Sequence, residues 1–518
     1  MTRIPKPTNP RLSEVDPFEG IETAEETLDD ANIERRATQG VGLLVFQMFA
    51  LQILTLGVTV VLARILSVAD YGIFAVALAL QQASQALIEL GVGAALIGRE
   101  EMPTEHEQRA VTGFVLTGAL AICAVVGACA FIVLPGLGVD GDLLKLAFVA
   151  CLALPVAAFR TVPTVLLERQ LRYGRVTALY TADTIAFNLA ALGGVLAGMG
   201  GFALVMGVPA GALAGLIFAL ALQKCARGFT WDFKVIRPMI AFGSQVSARQ
   251  GIVLARDLTF VSLIAVIGGQ TAAGFFAMSQ RVLGVPLSFS MALSRVGFPA
   301  MARSGTDDLR TKNATRSIAI AAAAIGLPLA ICAGSADPLL DLLFGSRWTP
   351  AAEIVIPSAA GLLLMASSGA IISSLFLSLG NARVPMISSL IDSIVLCGTA
   401  VFLIQWNSTV GIGLAVILGA IAGVGVLLAK SERSVKKSIP PVLRALMIAS
   451  AAAAAGFYSA SPGGITGLVA SAAAASVVWL VLTFIFSRGE LNTLRDLAMK
   501  GLKRSAPTGE STEATGAS

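Results

Sequence analysis

Long apolar runs separated by short polar connections fill most of the chain between residues 38 and 486. Many runs are close to the length of about 20 residues with which an α-helix crosses the hydrocarbon core of a bilayer. The pattern predicts fourteen spans, at 38–63, 73–97, 110–134, 143–166, 177–198, 201–223, 240–268, 272–297, 315–336, 352–378, 384–404, 410–429, 441–459 and 464–486. The weakest boundaries are the short connections near Gly200 and Gly269. The sequence therefore predicts an all-α polytopic membrane protein with about 14 transmembrane helices.

The composition agrees with this pattern. Of the 518 residues, 56% are hydrophobic and 13% are charged, and the mean hydropathy is +0.81. Soluble domains carry about a quarter charged residues. The polar segments 1–37 and 487–518 are expected to be solvated cytoplasmic tails. No secretory signal is expected in the first of them, because it lacks a basic stretch followed by a short apolar core.

Lysine and arginine are concentrated in alternate connections, whereas the other set holds little beyond Arg64 and Arg347. Basic residues stay on the cytoplasmic side during membrane insertion, so both termini are predicted to face the cytoplasm of a bacterial cell, with the helices in its inner membrane. The net charge of +5 then reflects loops beside anionic lipid and not a nucleic-acid surface.

Residues that could build a catalytic or metal site are few and scattered. The six cysteines have neither metal-ligand nor disulfide spacing, His106 is the only histidine, and no GxxxxGK[ST] phosphate-binding loop occurs. The longest connection on the predicted outer side, 337–351, leaves no room for an enzyme domain. We therefore expect no enzyme, no metal and no cofactor, and a function performed within the membrane.

A short internal repeat divides the chain. "ARILSVADYGIFA" at 63–75 and "AVIGGQTAAGFFA" at 265–277 share five identities at a constant offset of 202 residues. Each stretch joins two predicted spans, as in transporters that arose from duplicated bundles. The predicted domains are two pseudo-repeated six-helix lobes, 38–224 and 233–429, followed by two extra helices within 441–486.

Four segments resemble a known family in the order that the family has them. They are "LARILSVADYGIF", "LLERQLRYGRV" at 166–176, "RVGFPAMAR" at 295–303 and "LLFGSRWTPAA" at 342–352. They resemble the polysaccharide flippases of the multidrug/oligosaccharidyl-lipid/polysaccharide exporter superfamily. The chain departs from that family at Phe260, where an acidic residue is common, so a role of this helix in ion coupling is not carried over.

The resemblance implies a V of two six-helix lobes. It also implies translocation of a polyprenyl-diphosphate-linked oligosaccharide from the inner to the outer leaflet for exopolysaccharide or lipopolysaccharide biosynthesis. The implied partners are the lipid-linked substrate, membrane lipids and a polysaccharide polymerase or export machinery.

Arginines within the predicted spans are the first candidates for substrate binding. Arg249 and Arg256 lie seven residues apart on one helix face, Arg281 lies at a comparable depth in the next span, and Arg160 lies in the fourth. A charge near the bilayer centre costs at least ~2.5 kcal/mol unless it meets water or a partner. Guanidinium groups around a wet cavity would suit a diphosphate, because their paired donors match phosphate oxygens.

The alternative for these arginines is pairing with buried acids. Asp257 could pair with Arg281, and Asp183 or Asp392 with Arg256. Asp257 and Arg256 themselves are about 100° apart around the helix and are not expected to share a face. Asp183, Asp257 and Asp392 are also candidate ion-coupling groups, as is Glu89, because a buried carboxylate can have its pKa raised into the working range.

A polar stripe marks the second span, with Gln81, Gln85 and Glu89 at successive helical turns. Amides exchange hydrogen bonds with sugar hydroxyls, so this stripe predicts either a glycan-facing wall or hydrogen bonds between helices.

Three rival functions remain at this level. A cation-coupled drug exporter of the same superfamily should carry a carboxylate in its first span, and 38–63 has none. A glycan polymerase or ligase would need a large outer loop. A flippase for a peptidoglycan precursor shares the diphosphate and the polyprenyl chain, and the sequence separates it poorly from the main prediction.

Overall fold

The computed structural model describes residues 50–89, 91–97, 102–133, 142–170, 172–302, 307–379, 381–431, 433–460 and 464–487. Within these ranges every regular element is helical. The predicted tails 1–37 and 487–518 fall outside the described residues, apart from Ser487.

Eight helices build the first lobe. They are α1 (Ala50–Ile65), α2 (Val68–Glu89), α3 (Val92–Ile97), α4 (Glu105–Ala128), α5 (Asp142–Cys151), α6 (Ala153–Arg169), α7 (Tyr173–Leu196) and α8 (Phe202–Leu222). Helices α2 and α3 together form the second predicted span, and α5 and α6 form the fourth. Helix α4 begins with a complete capping box: Thr104 accepts a hydrogen bond from the backbone of Glu107, whose carboxylate accepts one from the backbone of Thr104.

The second lobe and the terminal hairpin follow. Their helices are α9 (Phe233–Leu263), α10 (Gly269–Ala302), α11 (Asp307–Gly334), α12 (Ala336–Phe344), α13 (Ala352–Leu364), α14 (Ala370–Ser378), α15 (Arg383–Trp406), α16 (Val410–Lys430), the short α17 (Arg433–Lys436), α18 (Ile439–Ser459) and α19 (Gly464–Phe486). The terminal pair α18–α19 packs on the second lobe, mainly along α11.

The predicted fold class is confirmed, with 12 candidate spans that meet the length and hydropathy expected of a membrane helix in the described part of the chain. One of these, Ala248–Leu287, covers parts of two predicted spans, 240–268 and 272–297, and Ala50–Ile65 is the described part of the first. The chain turns between α9 and α10 at Gly269, whose φ of +84° is in the region that favours glycine. The short connection near Gly200 is real as well, since Gly198 and Gly200 both have positive φ.

The two lobes meet where α2 crosses α10, at the glycines of the internal repeat. Gly72 lies against the backbone of Gln270, and Gly274 lies against the backbone of Val68. The offset of 202 residues relates Val68 to Gln270 and Gly72 to Gly274. Each glycine therefore contacts the residue that lies four positions before the other glycine. A reciprocal contact of this kind is the one made around a two-fold axis.

We expect Gly274→Ala to destabilise the protein strongly, because an added Cβ would collide with the backbone of Val68 and force the lobes apart. Overpacking of this kind typically costs about 1–3 kcal/mol, and backbone contacts yield least. Gly193→Ala is the matched control, because this helical glycine has no neighbouring atom within 4 Å of an added Cβ. Thermal unfolding of the two purified variants is the measurement. Equal midpoints would show that the crossing tolerates a wider separation.

The connection between the lobes, 223–232, is fastened to the start of α4. The backbone N–H of Ala226 donates to Gln108 at 2.9 Å and that of Thr230 donates to the carbonyl of Arg109 at 3.0 Å. Asp232 caps α9 through the backbone N–H of Lys234 and lies 3.0 Å from His106. The hydrogen bond with His106 holds the pKa of the Asp232 carboxyl below its ordinary value. The single histidine thus has a partner at the junction of the lobes.

Candidate functional site: a polar cavity and two arginine–aspartate pairs

A cavity of about 530 Å³ lies within the first lobe and reaches the second at one residue. Helices α1, α2, α6, α7 and α8 provide its wall in the described part of the chain, and α10 adds Arg281. This volume is in the range of small-molecule sites. Its polar lining residues are Gln52, Thr55, Gln81, Gln82, Gln85, Arg160, Tyr180, Asp183, Thr184 and Arg281.

Two of the four candidate arginines therefore share a cavity. Arg160 donates from Nη1 to Oδ2 of Asp183 at 2.5 Å, which leaves that pair neutral. Among the described residues, no carboxylate lies within ion-pair distance of Arg281. The cavity thus carries one excess positive charge, contributed across the lobe boundary.

The other two candidate arginines, Arg249 and Arg256, contact helix α15 instead. Nη1 of Arg256 donates to Oδ2 of Asp392 on α15 at 2.5 Å. Nε of Arg249 donates to the hydroxyl of Ser389, one turn earlier on the same helix, at 3.1 Å. Neither arginine lines the 530 Å³ cavity. The predicted cationic surface is therefore split between two places in the molecule.

Two expectations about pairing were wrong. Arg256 and Asp257 do interact, with Nε and Nη2 of Arg256 donating to Oδ1 of Asp257 at 2.9 and 2.8 Å. The long arginine side chain bends back around the helix, which an argument from Cα angles alone does not capture. Asp257 forms this contact and, in the described region, no ion pair with Arg281. The alternative of pairing Arg256 with Asp392 matches the structure.

The polar stripe on α2 forms a ladder within its own helix. The amide of Gln81 donates to Gln85 at 3.2 Å, and that of Gln85 donates to Glu89 at 3.1 Å. Gln81 and Gln85 line the cavity, whereas Glu89 does not. The ladder fixes the amide orientations toward the cavity, and this leaves their remaining polar atoms available to a ligand.

Sequence reasoning did not predict several cavity residues, including Thr55, Tyr180 and Thr184. A weak signal existed for Thr55 and Thr184, since each hydroxyl residue lies near a polar neighbour, Gln52 or Asp183. Their convergence depends on the packing of α1 against α7, where the amide of Asn188 donates to the hydroxyl of Thr55 at 3.3 Å.

A cluster that we call the latch joins the lobes at the α1–α2 turn. It consists of Arg64, Arg347 and Trp348 with the carbonyls they bind. Arg64 donates to the carbonyls of Leu343 at 3.0 Å and Leu342 at 2.5 Å. These carbonyls lie at the end of α12, where the helix itself provides no backbone donor. The Trp348 indole, fully buried, donates to the carbonyl of Ala63 at 3.0 Å.

Further contacts from both lobes strengthen the latch. Arg347 donates to the carbonyl of Arg64, and the rings of Tyr71 and Phe275 meet Trp348 edge-on at 5.2 and 6.5 Å. Two of the family-like segments, "LARILSVADYGIF" and "LLFGSRWTPAA", therefore contact each other.

A two-lobed bundle of apolar helices around a polar, net cationic cavity defines a multi-pass membrane protein. A family model described as polysaccharide biosynthesis protein matches residues 61–353, and the chain belongs to this family. The family and its neighbours are transporters and flippases, so the prediction that the chain is not an enzyme is confirmed.

Solved structures show the same fold at low identity. The structure described as the lipid II flippase MurJ in an inward closed conformation has a TM-score of 0.68 at 15% identity, covering 87% of this chain and 99% of that one. A transporter of the same superfamily from Pyrococcus furiosus, described as having a binding pocket of reverse polarity, has a TM-score of 0.50 at 14% identity, covering 80% and 96%. No curated protein matches the chain significantly. Together these findings establish a multi-pass membrane protein of the polysaccharide biosynthesis family with the fold of these transporters.

Proposed function

We propose that this protein flips a polyprenyl-diphosphate-linked oligosaccharide across the bacterial inner membrane for surface polysaccharide biosynthesis. The observation that carries the proposal is Arg281, a guanidinium without a carboxylate partner among the described residues, which faces a cavity lined by amides and hydroxyls. The guanidinium of Arg281 would bind the diphosphate, because its paired donors match the phosphate oxygens. The glutamines of α2 would face the sugars.

The cavity chemistry argues against a cation-coupled drug exporter. A pocket for organic cations should present an unpaired carboxylate, whereas the lining carboxylate, Asp183, is already paired with Arg160. The described part of α1 also has no acidic residue.

A flippase for a peptidoglycan precursor is the second candidate, since the lipid II flippase shares the fold over nearly its whole length. The diphosphate and polyprenyl chain are common to both substrates, so Arg281 would serve either one. The difference must lie in the glycan, and the family description favours a polysaccharide precursor.

Transport by the purified protein in vesicles tests the proposal. Vesicles would be loaded with a fluorescent polyprenyl-diphosphate oligosaccharide, a peptidoglycan precursor or a cationic dye, and movement between leaflets would be followed by quenching from outside. We expect movement of the oligosaccharide lipid. Movement of the peptidoglycan precursor alone would select the second candidate, and extrusion of the dye alone would overturn both.

We also infer that both termini lie in the cytoplasm and that the latch lies on the outer side, where a polymerase or export machinery would receive the product. A cysteine introduced at Thr349, half-buried beside the latch, should react with an impermeant thiol reagent in intact cells. A cysteine at Phe229 in the exposed connection between the lobes should react only after the cells are opened. The reverse labelling pattern would contradict this orientation.

A further inference from the structure

A second internal repeat places the same acid and the same glycine pair in both lobes. "DTI" at 183–185 precedes "GALAG" at 211–215, and "DSI" at 392–394 precedes "GAIAG" at 419–423. The first pair lies on α7 and α8, and the second lies on α15 and α16, which are the fifth and sixth spans of their lobes. The duplication has thus kept a carboxylate opposite two glycines spaced by one helical turn.

The glycines form a rigid seat for each carboxyl group. A Cβ added to Gly211 would lie 2.5 Å from Oδ1 of Asp183, and one added to Gly419 would lie 2.9 Å from Oδ1 of Asp392. The second glycines, Gly215 and Gly423, lie against the same aspartate side chains. Close approach of the helices therefore leaves each carboxylate little freedom to move.

The arginine that pairs with the aspartate comes from a different helix in each lobe. In both lobes Nη1 of an arginine donates to Oδ2 of the aspartate at 2.5 Å. Arg160 comes from α6, the fourth span of its lobe, whereas Arg256 comes from α9, the first span of its lobe. At the offset of 202 residues the counterpart of Arg256 is Leu54, and at the offset of 209 residues that relates Asp183 to Asp392 the counterpart of Arg160 is Gly369. The acid and its seat are the shared feature, and the guanidinium was supplied twice by different helices.

We propose that Asp183 and Asp392 are two copies of one positioning site, and that each holds a guanidinium beside the substrate path until the diphosphate of the substrate takes it over. The carboxylate is the fixed partner and the arginine, on its flexible stem, is the one that moves. This inference rests on the proposed function, because it assigns to the paired arginines a later contact with the same diphosphate that Arg281 meets first.

In the first lobe, water can stabilise the carboxylate after its arginine has left. Asp183 lines the cavity and its side chain is 28% exposed, so it can be solvated when Arg160 leaves. Asp392 is only 3% exposed, and its release of Arg256 leaves a buried charge, which is costly. The first-lobe pair should therefore exchange more readily than the second.

Binding of farnesyl diphosphate to the purified full-length protein in nanodiscs tests this role. If the aspartates compete with the ligand for the guanidinium groups, Asp183→Asn and Asp392→Asn should each bind the probe more tightly, by about tenfold. Farnesol, which has no diphosphate, should show no gain. Glu105→Gln is the matched control, since Glu105 also pairs with an arginine, Arg109, but on the exposed start of α4. A purely structural role would not raise affinity.

The possible outcomes separate this inference from the proposed function. Unchanged or weaker binding in both well-folded variants overturns the positioning role, while tight binding by the parent that is lost in Arg281→Gln leaves the proposed function intact. Absence of binding by the parent and by every variant counts against both. If Asp392→Asn does not accumulate, the neutral double variant Arg256→Gln/Asp392→Asn replaces it. That protein should fold but bind the probe more weakly than the parent does, because it lacks the guanidinium of Arg256, and binding equal to that of the parent would overturn the role of the second copy.

Discussion

Arg281→Gln should strongly reduce transport while leaving the amount of protein in the membrane unchanged. The guanidinium of Arg281 faces the cavity, and among the described residues it has no carboxylate partner that its removal would strand. Its loss would remove the one excess positive charge of the cavity. A charge-assisted contact with the diphosphate is worth about 1.5–3 kcal/mol, and the initial rate of transport should fall by at least about tenfold.

Arg256→Gln should behave in the opposite way. It leaves Asp392, which is 3% exposed, without its cation, and breaking a buried ion pair costs about 3–5 kcal/mol. We therefore expect a low amount of protein in the membrane, recovered when Asp392→Asn is added. Quantitative immunoblotting alongside the transport assay separates the two arginines. A normal amount of Arg256→Gln with no transport would show that Arg256 contributes little to stability.

Arg281→Lys refines the first of these results. Lysine keeps the charge but presents a compact ammonium in place of the planar fork. If the ligand is a diphosphate bound by paired hydrogen bonds, the lysine variant should recover only part of the transport. Full recovery would reduce the role of Arg281 to its charge. Arg175→Gln, at the exposed start of α7, is the control for a lost surface arginine.

The helices were predictable because hydropathy and length act locally along the chain. The predicted span 352–378 coincides with the α13–α14 segment, and 464–486 coincides with α19. The count of fourteen came from the apolar runs and was tested against the alternation of basic connections, and the duplication was inferred from one repeat and from six spans in each half. None of these conclusions required knowledge of which helices are neighbours in space.

The site was less predictable, because it depends on which helices touch. A helical wheel groups Arg249 with Arg256 and separates Arg256 from Asp257, but the reach of a guanidinium overrides that geometry. The placement of Arg281 in the first-lobe cavity follows from the crossing of α2 and α10. The GALAG and GAIAG segments show that useful signal was still present in the sequence, since their glycines determine how closely the acid-bearing helices pack.

The latch and the cavity together impose a requirement on the proposed transport. In the proposed orientation, a substrate that enters the cavity from the cytoplasm would leave outward through a separation of the α1–α2 turn from α12 and from Trp348. Rocking of one lobe against the other around a fixed site is the general solution for duplicated transporters. The hydrogen bonds of the latch run to backbone carbonyls at the ends of α1 and α12, so they can break without leaving a buried charge unpaired.

Joining the latch covalently should therefore stop transport without preventing substrate binding. We would replace Arg64 and Leu343 by cysteine in a background without the six native cysteines and join them with a short thiol-specific cross-linker. The cross-linked protein should retain farnesyl diphosphate binding from the cytoplasmic side, and its transport should fall to background and return on cleavage of the linker. The same pair without linker, and Arg64→Cys alone with it, are the controls. Transport at the parent rate by the cross-linked protein would mean that the substrate leaves by a route that does not open this end of the bundle, and the latch would then be a fixed structural joint.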